Sequence, residues 1–393
     1  QQCNSNKFAC IAFGFCVYLP LSRHIYCSRL SNAIRTSSLA LHSASAYICH
    51  SMFKTFRMKS ILGMGNALTD ILAVLQDDSL LRQFHLPKGS MQHVDKMTGD
   101  KIWQTLRQMG VQYVAGGSAA NTITGTAIFG MKSGFIGKIG DDELGHLYKS
   151  DQEQYGIRST LLKGKNPSGR AMVFITAPNA ERTFAVYLGA ALELVPEDLK
   201  PEFFEGYDYF HLEGYLVQNQ NLIRRAVELA KEAGCIISLD MASYNVVESN
   251  EAFLHDIVDH YVDIVFANEA EAKSFTRLDP RDALDELARH CSIAVVKVGK
   301  DGSMVKSGDE YHYIEAWPAH TIDATGAGDT YAAGFLYAHS LGMPLKVCGE
   351  IGSIIAAKVV EVIGTKIDIP RWKDAKNEIR ALIAANSANH KVE

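Results

Sequence analysis

Along the chain from Ile61, short and nearly unbroken apolar runs alternate with longer stretches of helical character. Ile61-Leu-Gly-Met-Gly-Asn-Ala-Leu-Thr-Asp70 reads as a buried strand that passes into a glycine-containing loop. Residues 134–137, 209–213, 235–240, 262–268 and 293–299 read as further buried strands, and residues 143–155, 222–232 and 345–360 as helices. This alternation predicts an α/β fold, a doubly wound and mostly parallel sheet flanked by helices. In such sheets ligands sit beyond the carboxyl ends of the strands, and the polar residues Glu213, Asp240 and Asn268 fall at those ends.

Two stretches break the rhythm. Ala171-Met-Val-Phe-Ile-Thr176 and Arg182-Thr-Phe-Ala-Val-Tyr187 read as strands joined by a turn containing Pro178 and Asn179, hence an antiparallel hairpin. Residues 71–115 and 163–190 are therefore expected to stand outside the main sheet.

Residues 1–57 are of another kind. They contain no Asp or Glu, five of the eight cysteines and six Lys or Arg. The semi-apolar stretch over residues 8–21 is too short to span a membrane and is broken by Pro20. Because Met58-Lys59-Ser60 directly precedes the first strand, the segment reads as an upstream or non-native extension; an organelle transit peptide is the competing reading. The folded unit is then expected over residues 58–390. Setting the extension aside leaves 33 basic against 44 acidic residues, a net charge of −11. An acidic body argues against nucleic acid or an anionic membrane as the main partner. The remaining Cys235, Cys291 and Cys348 are widely spaced in apolar runs, which argues against a disulfide framework and suits a reducing cytoplasm.

The most informative stretch chemically is Asp323-Ala-Thr-Gly-Ala-Gly-Asp329, followed by Thr330-Tyr-Ala-Ala-Gly-Phe335. Its two glycines let the backbone turn tightly and approach a ligand, and residues 329–341 read as a helix. A glycine turn entering a helix offers an anion unpaired N–H groups and the positive end of the helix dipole. Gly326, Ala327 and Gly328 would form that cradle, and Asp329 would take a proton from an alcohol. The simpler use of Asp329 is as a helix N-cap. Upstream, Gly116-Gly-Ser-Ala-Ala-Asn121-Thr122 opens a second helix, with Ser118 available as a cap. Gly63 and Gly65 lack the third glycine of a dinucleotide fingerprint, since Leu68 stands there, and no P-loop or zinc pattern occurs.

These two segments resemble the C-terminal and N-terminal signatures of the ribokinase-like (PfkB) family of sugar and nucleoside kinases, and the likeness extends over roughly residues 59–385. The resemblance implies transfer of phosphate from ATP, with Mg2+, to a hydroxymethyl group of a nucleoside or small sugar. It implies a substrate site of Asp70, Gly116, Gly117, Asn121 and Glu213, and a nucleotide site of Asn268, Lys297, Gly299, Gly302 and Gly328. Asn268-Glu-Ala-Glu271 resembles the family's N-x-x-E motif, with Glu271 acting on Mg2+ through water, although a capping box would use the same pair. Asp323 and Thr325 resemble a monovalent-cation site for K+; Ala324 replaces the Thr or Ser common there. The hairpin strands resemble the family's lid, which excludes water from phosphoryl transfer and can pair two copies in a homodimer. Arg182 fits a ligand contact or an edge-strand charge equally and is given no role. Gly65-Asn-Ala-Leu-Thr-Asp70 and Thr183-Phe-Ala-Val-Tyr-Leu-Gly-Ala190 look most like the adenosine-kinase-like branch. The alternatives are a free-sugar kinase of ribose, fructose or 2-keto-3-deoxygluconate type, and a non-catalytic sensor on the same fold.

Overall fold

Strands that are apolar at consecutive positions must be covered on both faces. The computed structural model describes residues 58–176 and 181–389, so the 1–57 extension and the Pro178-Asn179 turn lie outside the described residues. Its strands are β1 (Ser60–Met64), β2 (Leu68–Leu75), β3 (Met91–His93), β4 (Gln112–Gly116), β5 (Lys132–Ile139), β6 (Arg158–Lys163) and β7 (Gly169–Thr176). They continue as β8 (Glu181–Tyr187), β9 (Tyr209–Glu213), β10 (Ile236–Asp240), β11 (Ile264–Asn268), β12 (Ile293–Lys297), β13 (Ser303–Ser307) and β14 (Glu310–Ile314).

A nine-stranded sheet runs in the order β14-β13-β12-β11-β10-β9-β1-β5-β6. Neighbours from β12 through β6 are parallel, and β13 and β14 extend one edge as antiparallel strands. Successive side chains go to opposite layers. Phe210 and Leu212 of β9 join a core with helices Gln220–Glu232 and Glu251–Tyr261, whereas Tyr209 joins a core with helices Ser118–Ile128 and Ala327–Ser340. The doubly wound, mostly parallel sheet is thus present. The strand register places Glu213 beside Asp240, and Asn268 beside Lys297, at the carboxyl edge.

The second sheet has five strands in the order β3-β8-β7-β2-β4. It corrects one element: the stretch after β1 is not a loop, because β2 begins at Leu68 and Asp70 lies within it, opposite Val114 and Ala171. Only residues 65–67 separate the two strands, so the chain leaves one sheet and enters the other without helix or long loop. One face of this sheet packs Ile71, Ala73, Met172 and Phe174 against helix Lys96–Leu106. The other gathers Leu72, Val173, Val186 and Leu188.

Small residues set the helix spacing on one face of the main sheet. A Cβ on Gly125 would lie 2.6 Å from the Ala333 Cβ, so helices Ser118–Ile128 and Ala327–Ser340 cross at close range. That crossing brings the two glycine-rich segments, far apart in the chain, to one place.

Candidate active site

Helix Ala327–Ser340 begins two residues earlier than expected, capped by Gly326 at φ +74°. This is left-handed backbone, where a side chain is strained and glycine is not. Asp329 therefore lies inside the first turn and is not the N-cap. Its Oδ1 accepts a hydrogen bond from Ser118 Oγ at 2.7 Å, and its Oδ2 accepts one from Asn121 Nδ2 at 2.9 Å. Ser118 is thus not a helix cap. It stands three residues before Asn121, on the same helix face, and that spacing was the available signal. Asn121, expected on substrate, is held here on the aspartate. Burial pushes the Asp329 carboxyl up to about 6, the Asp240 charge adds to the rise, and the Asn121 and Ser118 hydrogen bonds oppose it.

A cleft of about 610 Å³ opens on the Asp329 side, between the carboxyl edge of the main sheet and the second sheet. Asp70 lines it, and its carboxylate has no hydrogen-bond partner among the described residues. Burial pushes Asp70 up to about 7, with the Arg182 charge opposing and Asp329 adding. Gly116 leaves space for it, since a Cβ there would meet the Asp70 carboxylate at 2.4 Å. Gly117, at φ +96°, caps helix Ser118–Ile128. The roof is apolar, made by Leu68, Ala171, Phe184, Val186 and Leu188.

Glu213 has another task than the expected substrate contact. Its Oε1 accepts from the Asn66 amide N–H at 2.8 Å and from Asn66 Nδ2 at 2.9 Å, and its Oε2 accepts from the Ala119 N–H at 2.8 Å. A carboxylate has about four lone-pair sites, so three are taken by the protein, and the residue is 1% exposed. Glu213 ties the β1–β2 link to the start of helix Ser118–Ile128. Burial pushes its carboxyl up to about 7 against those hydrogen bonds.

A second cavity of about 450 Å³ lies on the other side of the same helix start, walled by Trp317, Tyr331, Ala356 and Val360. Gly299 and Gly302 form its floor, in the turn from β12 to the antiparallel β13. Gly302 has φ +102°, and a Cβ on it would strike the Ile314 carbonyl. The sequence reading did not mark these walls as a site, and no pattern distinguishes residues 316–319. Lys297, Gly299, Ala327 and Gly328 line both cavities.

Asn268 and Glu271 do form a capping box. Asn268 Oδ1 accepts from the Glu271 N–H at 3.0 Å, and Glu271 Oε2 accepts from the Asn268 N–H at 2.7 Å. Both also line the larger cleft, so capping and a water-mediated contact to Mg2+ are compatible. Burial and the nearby Asp240 charge raise Glu271. Burial disfavours the charge on Asp240 too, but the Lys297 ammonium at 2.9 Å overrides it and holds that carboxyl low.

The expected K+ site does not fit the donor set. Asp323 is 6% exposed, and its carboxylate accepts from the Thr325 N–H at 3.0 Å, from the Gly364 N–H at 2.8 Å and from the Arg182 guanidinium. A cation of the chain already sits on it. Arg182, given no role from sequence, thus joins the second sheet to the glycine-rich loop.

Residues 94–372 match the model of the pfkB family carbohydrate kinase. The chain belongs to this family. It is 32% identical to a solved adenosine kinase from Sinorhizobium meliloti, covering 82% of this chain and 99% of that one, with a TM-score of 0.74. A 5-dehydro-2-deoxygluconokinase from Clostridium perfringens is 29% identical, over 67% of this chain and 83% of that protein. A nucleoside kinase from Methanothermobacter thermautotrophicus is 26% identical, over 78% and 97%. The protein is accordingly a kinase of carbohydrate or nucleoside type, which displaces the sensor alternative. Family membership implies ATP as donor, usually with Mg2+.

Proposed function

We propose that the protein phosphorylates the hydroxymethyl group of a nucleoside of adenosine type. The carrying observation is the pair of cavities meeting at the start of helix Ala327–Ser340, with Asp329 on the larger side. The donor's base and ribose occupy the smaller cavity and its phosphates lie toward Gly299, Gly302 and Gly328. The acceptor lies in the larger cleft with its ring hydroxyls on Asp70.

Asp329, ionised, takes the proton of the acceptor hydroxyl. That oxygen forms a bond to the γ-phosphorus, the bond from phosphorus to the β–γ bridging oxygen breaks, and its electron pair leaves with ADP. The N–H groups of Ala327, Gly328 and Asp329 stabilise charge on the transferring group. Mg2+, when bound, would be held through water by Glu271 and neutralise the phosphates. Among the described residues no group of three or more His, Cys, Asp or Glu could cage a metal directly, and Mg2+ carried on phosphates needs no such cage.

Two features favour a nucleoside over a sugar acid. The roof of Leu68, Phe184, Val186 and Leu188 offers apolar surface to a flat base. The cleft is also lined by the carboxyl groups of Asp70, Glu213, Asp240, Glu269, Glu271 and Asp329, with Lys297 the one ammonium among its described lining residues, which disfavours an anionic acceptor. A neutral free sugar is the second reading, on the strength of the sugar-kinase relatives. We place the protein in the cytoplasm as a homodimer through the outer lid strands β3 and β4; Cys235, Cys291 and Cys348 are unpaired, in keeping with a reducing compartment.

The test is ADP release with ATP and Mg2+ over adenosine, inosine, guanosine, ribose, fructose and 5-dehydro-2-deoxygluconate. Adenosine is expected to give the highest kcat/KM, and Asp329→Asn to lower kcat on it by about a hundredfold or more. Preference for 5-dehydro-2-deoxygluconate would overturn the acceptor assignment, and an unimpaired Asp329→Asn would remove the base.

A further inference from the structure

The two glycines of Gly326-Ala327-Gly328 do different work. Gly326 is required by its left-handed backbone. Gly328 sits within the helix and has no positive φ, so the turn does not demand it. What it provides is space: a Cβ on Gly328 would come within 2.9 Å of the Lys297 Nζ. A side chain at 328 would move that ammonium off the helix start and strain its 2.9 Å ion pair with Asp240.

Lys297 ends β12, and its side chain is 14% exposed. Desolvating a cation is costly unless it is paired. The pairing with Asp240 answers that cost but does not explain why a cation stands at this position. Its location does. Among the described residues Lys297 is the one charged residue common to the acceptor and donor cavities, and the N–H groups of the helix start lie beside it. Asp240, Glu271 and Asp329 surround it with negative charge. An anionic phosphoryl group passing between the cavities would meet those three carboxyl groups, with Lys297 as the cation that stands among them.

We propose that Lys297 is a catalytic residue that touches the transferring phosphoryl group, with Asp240 holding it in place and Gly328 kept bare to admit it. The proposal rests on the phosphotransferase reading of the site and goes beyond a nucleotide contact. As the acceptor oxygen–phosphorus bond forms and the bond to ADP breaks, the acceptor proton goes to Asp329. Lys297 keeps its own protons throughout: one N–H stays on Asp240 and another is given to an equatorial phosphoryl oxygen. This contact strengthens as charge builds on those oxygens, so its loss falls on kcat and spares the binding of ADP.

The experiment compares wild type, Lys297→Met, Lys297→Arg, Gly328→Ala and the Lys297→Met/Gly328→Ala double variant. Turnover is measured with ATP, Mg2+ and the best acceptor. Calorimetric affinity is measured for ADP alone and for ADP with Mg2+, acceptor and aluminium fluoride, which mimics the transferring group. Lys297→Met is expected to lose about a hundredfold or more in kcat, to bind ADP within about threefold of wild type, and to lose the added affinity that fluoride brings. Gly328→Ala is expected to lower kcat in wild type and to add little in the Lys297→Met background. Lys297→Arg keeps the Asp240 pair and carries the test if Lys297→Met does not fold; it is expected to retain ADP binding and lose kcat. A Lys297 variant that folds with kcat within about threefold of wild type overturns the proposal, as does equal loss for ADP and for the fluoride complex. Wild-type protein that turns over no acceptor would sink the phosphotransferase reading and this proposal with it. An active wild type beside unimpaired variants would sink this proposal alone.

Discussion

At the scale of single residues, the site depends on how Asp329 is held. Its two oxygens are clamped by Ser118 and Asn121, and both hydrogen bonds favour the ionised form that the proposed reaction needs. Activity is therefore expected to rise as pH increases through about 6, where the carboxyl loses its proton. Ser118→Ala removes one stabilising bond to the anion, so the acidic limb of the kcat/KM profile should move to higher pH, by up to about one unit. A limb that stays in place, with kcat merely scaled down, would mean that Ser118 does not act through Asp329. This clamp was only half legible in the chain. Asp329 and Asn121 announced themselves by residue type within glycine-rich segments. Ser118 did not, because a serine opening a helix is equally well explained as a cap. The hold on Glu213 was hidden for a related reason: a carboxylate at a strand end looks the same whether it faces a ligand or two backbone N–H groups.

At the scale of elements, the parallel strands were easy to read because burial on both faces makes their sequences continuously apolar. β2 was not, since it follows β1 after only three residues and has no turn of its own to separate it. The approach of helices Ser118–Ile128 and Ala327–Ser340 was also hidden, because one glycine inside a helix does not reveal what it faces. That approach is tight enough to be tested. Gly125→Ala would place a Cβ 2.6 Å from the Ala333 Cβ, and overpacking of this kind costs about 1–3 kcal/mol. Urea unfolding should register the loss, kcat should fall because Ser118 and Asn121 are carried on the displaced helix, and Ala333→Gly in the same chain should restore part of both. Stability and kcat unchanged in Gly125→Ala would show that the crossing has slack.

At the scale of the whole molecule, two sheets with separate cores share one cleft, and Arg182 on β8 reaches across to Asp323. That contact spans 141 residues of sequence, which no local pattern encodes. It also has a thermodynamic meaning. If the roof over the acceptor and the cradle for the donor are joined by an ion pair, neither is free to sense its ligand alone. An acceptor that draws the roof down improves the cradle, and linkage then requires the donor to improve acceptor binding by the same factor. Calorimetric affinities of adenosine with and without ADP, and of ADP with and without adenosine, should change by one common factor in wild type. In Arg182→Gln that factor should shrink toward unity, and a factor that survived intact would free Arg182 of the part. The two ligands of this kinase would then be partners in binding before either has reacted.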